Sequence, residues 1–355
     1  MFNSTAFQLI LKPLFLSFAL AFLATPLVIK LYRSLGWVED PQKTQRRKDT
    51  HTRPVPRGGG LPILFSFAII SLVLLPLNQA LAGLLLGSLL IVAMGTLDDH
   101  WDLNPYLRLG GCFVAAGLVV FSGNRIEFLT NPFNGLFYLP FWVSISFSLL
   151  WIVFLINALN WVKGFDGQQP GIVVIACLTI ALLAWRFLPD GQIVPVVILS
   201  AIVAGAYLGF LPFNFYPQKI MPGFGAGALA GFLLASLSIL STTKLGTALV
   251  VLGLPIMDAF LVILRRVLSG KSPLWGDREH LHHHILDKWK WSKPKTAFFY
   301  WGVTALLGLL ALSLNSQEKF YTIIMVALVV GLLFLWFRYF STWFGQSDPG
   351  KPLKT

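Results

Sequence analysis

An all-α, polytopic membrane bundle of about eleven transmembrane helices is the fold this sequence predicts, because apolar stretches close to the twenty residues a span needs recur along it. Composition points the same way: of 355 residues, 56% are hydrophobic and only 12% charged, with a mean hydropathy of +0.72, far from globular averages. The third observation is where the charge sits. Lys and Arg crowd into alternate connections, as they do on the cytoplasmic side of membrane helices.

The first apolar run, 7–31, is long, contains Pro26 and continues into Lys30 and Arg33 without a small-residue cleavage site. It therefore reads as a retained helix and not as a signal peptide. Helices are then expected at 61–77, 80–97, 108–122, 139–158, 170–186, 194–212, 224–241, 246–265, 297–314 and 320–340. Glycines mark several of their ends: Gly58-Gly59-Gly60 leads into the second, Gly164 and Gly167 break the fifth, and Gly223, Gly225 and Gly227 open the eighth. Cys112 and Cys177 fall inside expected helices and read as small apolar fillers. With short connections and no repeat of fixed period, residues 1–345 form one membrane domain, and the polar 346–355, with Pro349, Gly350 and Pro352, a disordered tail.

With the N-terminus outside, the segments after alternate helices are cytoplasmic and hold twenty-one of the 27 Lys and Arg residues. The expected place is a membrane, crossed many times. The net charge of +12 comes with no compact nucleic-acid-binding pattern, so nucleic acid is not an expected partner. Membrane lipids are, through anionic head groups. All six histidines and the densest Gly and Pro clusters lie in cytoplasmic segments or the adjoining helix ends. A transporter would gather polar groups near the bilayer midplane, so this distribution favours a site at the cytoplasmic surface.

Five constellations carry the chemistry. Arg46-Arg47-Lys48-Asp49-Thr50-His51 leads, through Arg53 and Arg57, into the first glycine turn. Its basic side chains, with Lys48 and His51 as candidate substrate contacts, and its free amides suit phosphate oxygens. Asp98-Asp99-His100-Trp101-Asp102 ends an apolar helix. Carboxylates there are costly unless used; if the helix continues, Asp102 shares a face with Asp98 and Asp99, a hard-oxygen set suited to Mg²⁺, or one of them accepts a proton. Asn157, Asn160 and Lys163 recur at three-residue spacing before Asp166, forming a polar stripe that a helix C-cap does not explain. Asn214 precedes the glycines of the eighth helix, whose amides could meet an anion. Last come His280, His282, His283 and His284; on a helix, His280 would share a face with His283 and His284, usable for phosphate or for zinc. Asp258 is an intramembrane carboxylate whose default reading is functional.

Together these blocks resemble the polyprenyl-phosphate N-acetylhexosamine-1-phosphate transferases, in that family's order from Arg47 to His283. The Asp98-Asp99-His100-Trp101-Asp102-Leu103 run is more similar to the GlcNAc type than to the MurNAc type. The resemblance implies transfer of a sugar 1-phosphate, most simply GlcNAc-1-phosphate, from a UDP-sugar to a polyprenyl phosphate of undecaprenyl type, with Mg²⁺ and release of UMP. It further implies Asp98 as the base-like residue beside Asp99, Asn160 and Asp166 as polar or metal-side groups, and His280, His282 and His283 as contacts to the sugar-nucleotide phosphate. Asp98, Asp99, Asp166 and Lys163 are the catalytic candidates, and Lys48, His51, Asn157, Asn214 and the three histidines the substrate-binding ones.

Two positions depart from the family pattern. Lys163 stands where it has an Asp, and Met221-Pro222-Gly223-Phe224-Gly225 stands where it reads Met-Gly-Asp-x-Gly, so that Gly223 replaces an expected Mg²⁺ ligand. Lys163 would then partly replace the metal as a fixed counter-charge to the diphosphate. The alternatives are a shifted Mg²⁺ on Asp98, Asp99 and Asp166, or an inactive binder of lipid phosphate.

Overall fold

A computed structural model of the chain describes residues 5, 7–40, 53–188, 193–241, 245–272 and 279–339. Lys48, His51 and the 346–355 tail lie outside them. The protein is a polytopic helical membrane protein. A π-helical turn, Phe7–Leu11, runs into α1 (Lys12–Ser34). Then follow α2 (Gly60–Leu74), α3 (Gln79–Trp101), α4 (Pro105–Phe121), α5 (Phe141–Trp161), α6 (Gln168–Trp185), α7 (Val194–Asn214), α8 (Gly223–Leu240), α9 (Leu245–Val251), α10 (Gly253–Leu268), α11 (Leu281–Lys288), α12 (Lys293–Ser313) and α13 (Ser316–Tyr339). The described strands form two small antiparallel pairs, β1 (Val38–Glu39) with β2 (Val55–Pro56) and β3 (Phe128–Thr130) with β4 (Leu136–Tyr138).

Every expected apolar segment is helical, but not every one makes a simple span. Among the described residues, eight helices are long and apolar enough to cross a membrane, nine if a bent pair counts as one. That pair corrects the single helix expected at 246–265: α9 and α10 meet at 83°. Gly253 loosens the backbone there, and Pro255 cannot donate to the carbonyl one turn back. α2 and α4, at 15 and 17 residues, are short for a hydrocarbon core ~30 Å thick.

α8 is the central element, buried along nearly its whole length and packed on α5 and α3. Its run Gly225-Ala226-Gly227-Ala228-Leu229-Ala230-Gly231 presents small side chains, and backbones close in where apolar association alone gives little drive in lipid. A Cβ at Gly231 would come within 2.0 Å of the Leu155 carbonyl in α5, and one at Gly95 in α3 within 2.3 Å of Gly225 Cα. The Gly95 crossing sets the register that delivers the acidic end of α3 to the start of α8. α1 lies along α7, α7 along α6, and α12 covers α6 on its far flank.

Candidate active site

Asp98 and Asp99 are three and four residues beyond Gly95, hence on the face of α3 turned to α8. Asp99 accepts the Phe224 N–H through both carboxylate oxygens, each at 3.0 Å, and so caps a helix start that carries no side-chain cap of its own. Arg57 Nε, 3.5 Å from Asp99 Oδ1 and 3.3 Å from Glu39 Oε2, joins the β1–β2 pair to the same point. Asp98, 8% exposed, receives Arg108 Nη1 at 3.0 and 3.1 Å. The Phe224 ring carries two cations, Arg108 at 5.4 Å and Lys163 at 5.7 Å from its centroid. Asp102 leaves this group. α3 ends at Trp101, and Asp102 turns into the left-handed region (φ 53°) as an exposed C-terminal cap, so the three carboxylates do not share a face.

Gly223 opens α8 at φ +63°, and a Cβ there would meet Asp99 Oδ2 at 2.0 Å. The direction in which the family's Asp would grow is filled by the Asp99 carboxylate.

The turn after α5 brings the second set. Asn160 and Lys163 flank Gly227 of α8, whose added Cβ would lie 2.5 Å from Asn160 Oδ1 and 2.9 Å from Lys163 Cδ. Asn160 Oδ1 is buried without a hydrogen-bond partner among the described residues. Burial pushes the Lys163 ammonium down to about 8, with Arg57 and Arg108 adding to the shift and Asp99 and Asp98 pulling against it. Asp166, 2% exposed, accepts the Gln218 N–H at 3.2 Å and Lys293 Nζ at 3.2 Å. Two members of the expected binding set also make hydrogen bonds within the protein. Asn157 donates to the Val153 carbonyl of its own helix at 2.8 Å. Asn214 is fully buried, accepting from Gly167 N–H (3.1 Å) and donating to Ile220 O (3.0 Å) and Gln218 Oε1 (3.2 Å), which ties the Asp166 turn to the 215–222 loop.

The histidines close a third side. His280 is extended and precedes α11, so it does not share a helical face with His283 and His284. Its ring instead stacks parallel to His282 (5.7 Å, 3°) and lies 5.5 Å from Trp161. His282 follows at 4.2 Å from His283 and abuts Gly164, where a Cβ would come within 2.1 Å of Nε2. The histidines are thereby joined to the turn bearing Lys163 and Asp166. His284 points away, stacked on Phe337 at 5.4 Å.

Mg²⁺ would draw its oxygens from Asp98, Asp99, Asp166 and Asn160. Each of the three carboxylates is engaged by a protein cation, and two of them by a backbone N–H as well. Among the described residues no group of three or more His, Cys, Asp or Glu is placed to hold a metal ion. This donor set does not fit a divalent cation; Arg57, Arg108, Lys163 and Lys293 stand at the carboxylates instead.

Arg108 and Lys293, which contact Asp98 and Asp166, are absent from the sequence-derived set. Arg108 is the one charge in α4, and Lys293 shares the first turn of α12 with Lys295, a signal that could have singled them out.

Residues 81–242 match the family model described as glycosyl transferase family 4. The chain is 30% identical over 271 residues to the probable undecaprenyl-phosphate N-acetylglucosaminyl 1-phosphate transferase of Bacillus subtilis, covering 74% of this chain and 73% of that protein. It is 30% identical over 309 residues to the decaprenyl-phosphate N-acetylglucosaminephosphotransferase of Mycolicibacterium smegmatis, covering 76% and 75%. Against the phospho-N-acetylmuramoyl-pentapeptide-transferase of Bacillus pumilus the figure is 29% over 335 residues, 86% of this chain and 97% of that one. With 30% identity over about three quarters of its length, the chain belongs to glycosyl transferase family 4, as a multi-pass bacterial membrane enzyme.

Proposed function

We propose that this chain transfers GlcNAc-1-phosphate from UDP-GlcNAc to a polyprenyl phosphate of undecaprenyl type, releasing UMP, as the first membrane step of cell-envelope polysaccharide synthesis. The activities for which the relatives are named support the reaction class. The observation that carries the reading is the cationic group of Arg57, Arg108 and Lys163 gathered with Asp98 and Asp99 at the start of α8. Such a group suits two phosphorylated substrates meeting at the end of a membrane bundle.

In the reaction a lipid phosphate oxygen attacks the phosphorus that bears the sugar. A P–O bond to the lipid forms as the P–O bond to UMP breaks, and UMP departs with the electron pair. A phosphate monoester has a second pKa of about 6, so the attacking group needs little deprotonation near neutral pH. Asp98, held by Arg108, orients it and takes any proton it retains. Charge gathers on the bridging oxygen that leaves with UMP, and Lys163 is the fixed counter-charge there. His280, His282 and His283 contact the sugar-nucleotide phosphates. The end of the bundle carrying these residues faces the cytoplasm, the side on which Lys and Arg accumulate, and the membrane domain spans 1–345.

Purified protein given UDP-GlcNAc and undecaprenyl phosphate should release UMP and form lipid diphosphate-GlcNAc. Absence of UMP from every UDP-sugar tried would overturn the proposal. The two lost carboxylates favour one second reading, a lipid-phosphate binder without turnover, and prenyl phosphate binding without UMP release is its signature.

A further inference from the structure

We infer that Asp258 is a positioning residue for the sugar-nucleotide subsite, acting through His280. The inference rests on the transferase reading and extends it to a residue to which that reading gives no task.

Asp258 is 2% exposed inside α10, where an ionised group persists only with partners. Both its oxygens are spent on one dipeptide: Oδ2 lies 2.9 Å from His280 Nδ1, and Oδ1 accepts the Leu281 N–H at 2.8 Å. The first contact fixes the ring's rotation and its Nδ1–H, and the second fixes the backbone from which the ring hangs. A carboxylate needed only to satisfy the start of α11 would not require an imidazole as its second partner. The orientation so imposed is shared by the neighbours, since His280 is parallel to His282, which is seated on Gly164 in the turn bearing Lys163 and Asp166.

With Nδ1 committed to Asp258, Nε2 is the nitrogen His280 offers to the sugar nucleotide. In that complex Nε2 faces a diphosphate oxygen, with the diphosphate on one side of the ring and Asp258 on the other. No bond to substrate is made or broken at His280, so its loss registers in substrate binding. Trp161, 5.5 Å from His280 and carrying the buried Arg266 at 5.5 Å from its centroid, backs the ring.

The test is steady-state UMP release by full-length protein in detergent for wild type, Asp258→Asn, His280→Ala and the double variant, with each substrate varied in turn. Loss of a supporting partner of this kind typically costs about 10–100-fold. Asp258→Asn should raise the KM for UDP-GlcNAc by about that factor and leave the KM for undecaprenyl phosphate unchanged. The double variant should be no worse than His280→Ala, because Asp258 has nothing left to position. Equal effects on both KM values, or single-variant losses that multiply in the double, would overturn the inference. So would His280→Ala with a wild-type KM for UDP-GlcNAc, a result that stands even if Asp258→Asn fails to fold. Wild-type protein that releases no UMP from any UDP-sugar would instead sink the transferase reading itself.

Discussion

Asp99 and Asp258 solve the same local problem and serve different ends. Each is a buried or nearly buried carboxylate on one helix that reaches across space to accept a backbone N–H at the start of another: Phe224 for α8, Leu281 for α11. In both cases a helix start without a side-chain cap is completed by an acid from elsewhere in the chain. The second partner makes the difference. Asp99 faces a permanently charged guanidinium and an ammonium that is charged below about pH 8, whereas Asp258 faces an imidazole whose orientation is the variable. One carboxylate anchors fixed charge at the reacting phosphates; the other aims a ring at a substrate. Helix capping thus sets where each acid sits, and its cationic neighbour sets what it does.

That contrast can be broken most directly by removing the Asp99 charge. Asp99→Asn should lower kcat on the order of 10²–10³-fold, the scale of losing one preorganised electrostatic contact. A change confined to the KM for UDP-GlcNAc would make Asp99 a second Asp258 and end the distinction.

A gentler probe uses pH. The Lys163 ammonium, pushed down to about 8, is charged below that value and neutral above it. Turnover should therefore fall as pH rises through about 8, by about tenfold per unit beyond it. Lys163→Arg, always charged, should be flat across the same range whatever its absolute rate. An alkaline limb identical in both proteins would detach Lys163 from turnover.

The smallest effect is structural and separates the two helix starts again. Gly223 holds φ +63° beneath Asp99, whereas His280 before α11 is extended. Gly223→Ala forces a Cβ into the left-handed region, costing roughly 1–2 kcal/mol, and against the Asp99 carboxylate. The thermal unfolding midpoint in detergent should drop; an unchanged midpoint would mean that the start of α8 is not built on this contact.

Much of the molecule was legible before folding because its signals are local. Apolar runs of span length, the acidic end of α3, the Asn160 and Lys163 stripe and the histidines each lie within a few residues of one another. The stripe and the histidines meet, as their polarity in an apolar chain suggested. What stayed hidden depends on helix crossings. Arg108 meets Phe224 and Lys293 meets Asp166 from far along the sequence, and only the Gly95 crossing brings Asp99 to α8. The loop tie that Asn214 makes is visible only once Gly167 and Ile220 are beside it. Asp102 left the acidic set for a local reason that spacing alone did not show, a left-handed cap after Trp101.

In the proposed transferase, fixed cations at the start of α8 stand in for a divalent ion. UMP release from UDP-GlcNAc and undecaprenyl phosphate, measured with excess EDTA, tests this directly. Wild-type turnover should persist in EDTA and Lys163→Ala should lose it; complete loss of wild-type turnover in EDTA, restored by Mg²⁺, would show that a divalent ion is required.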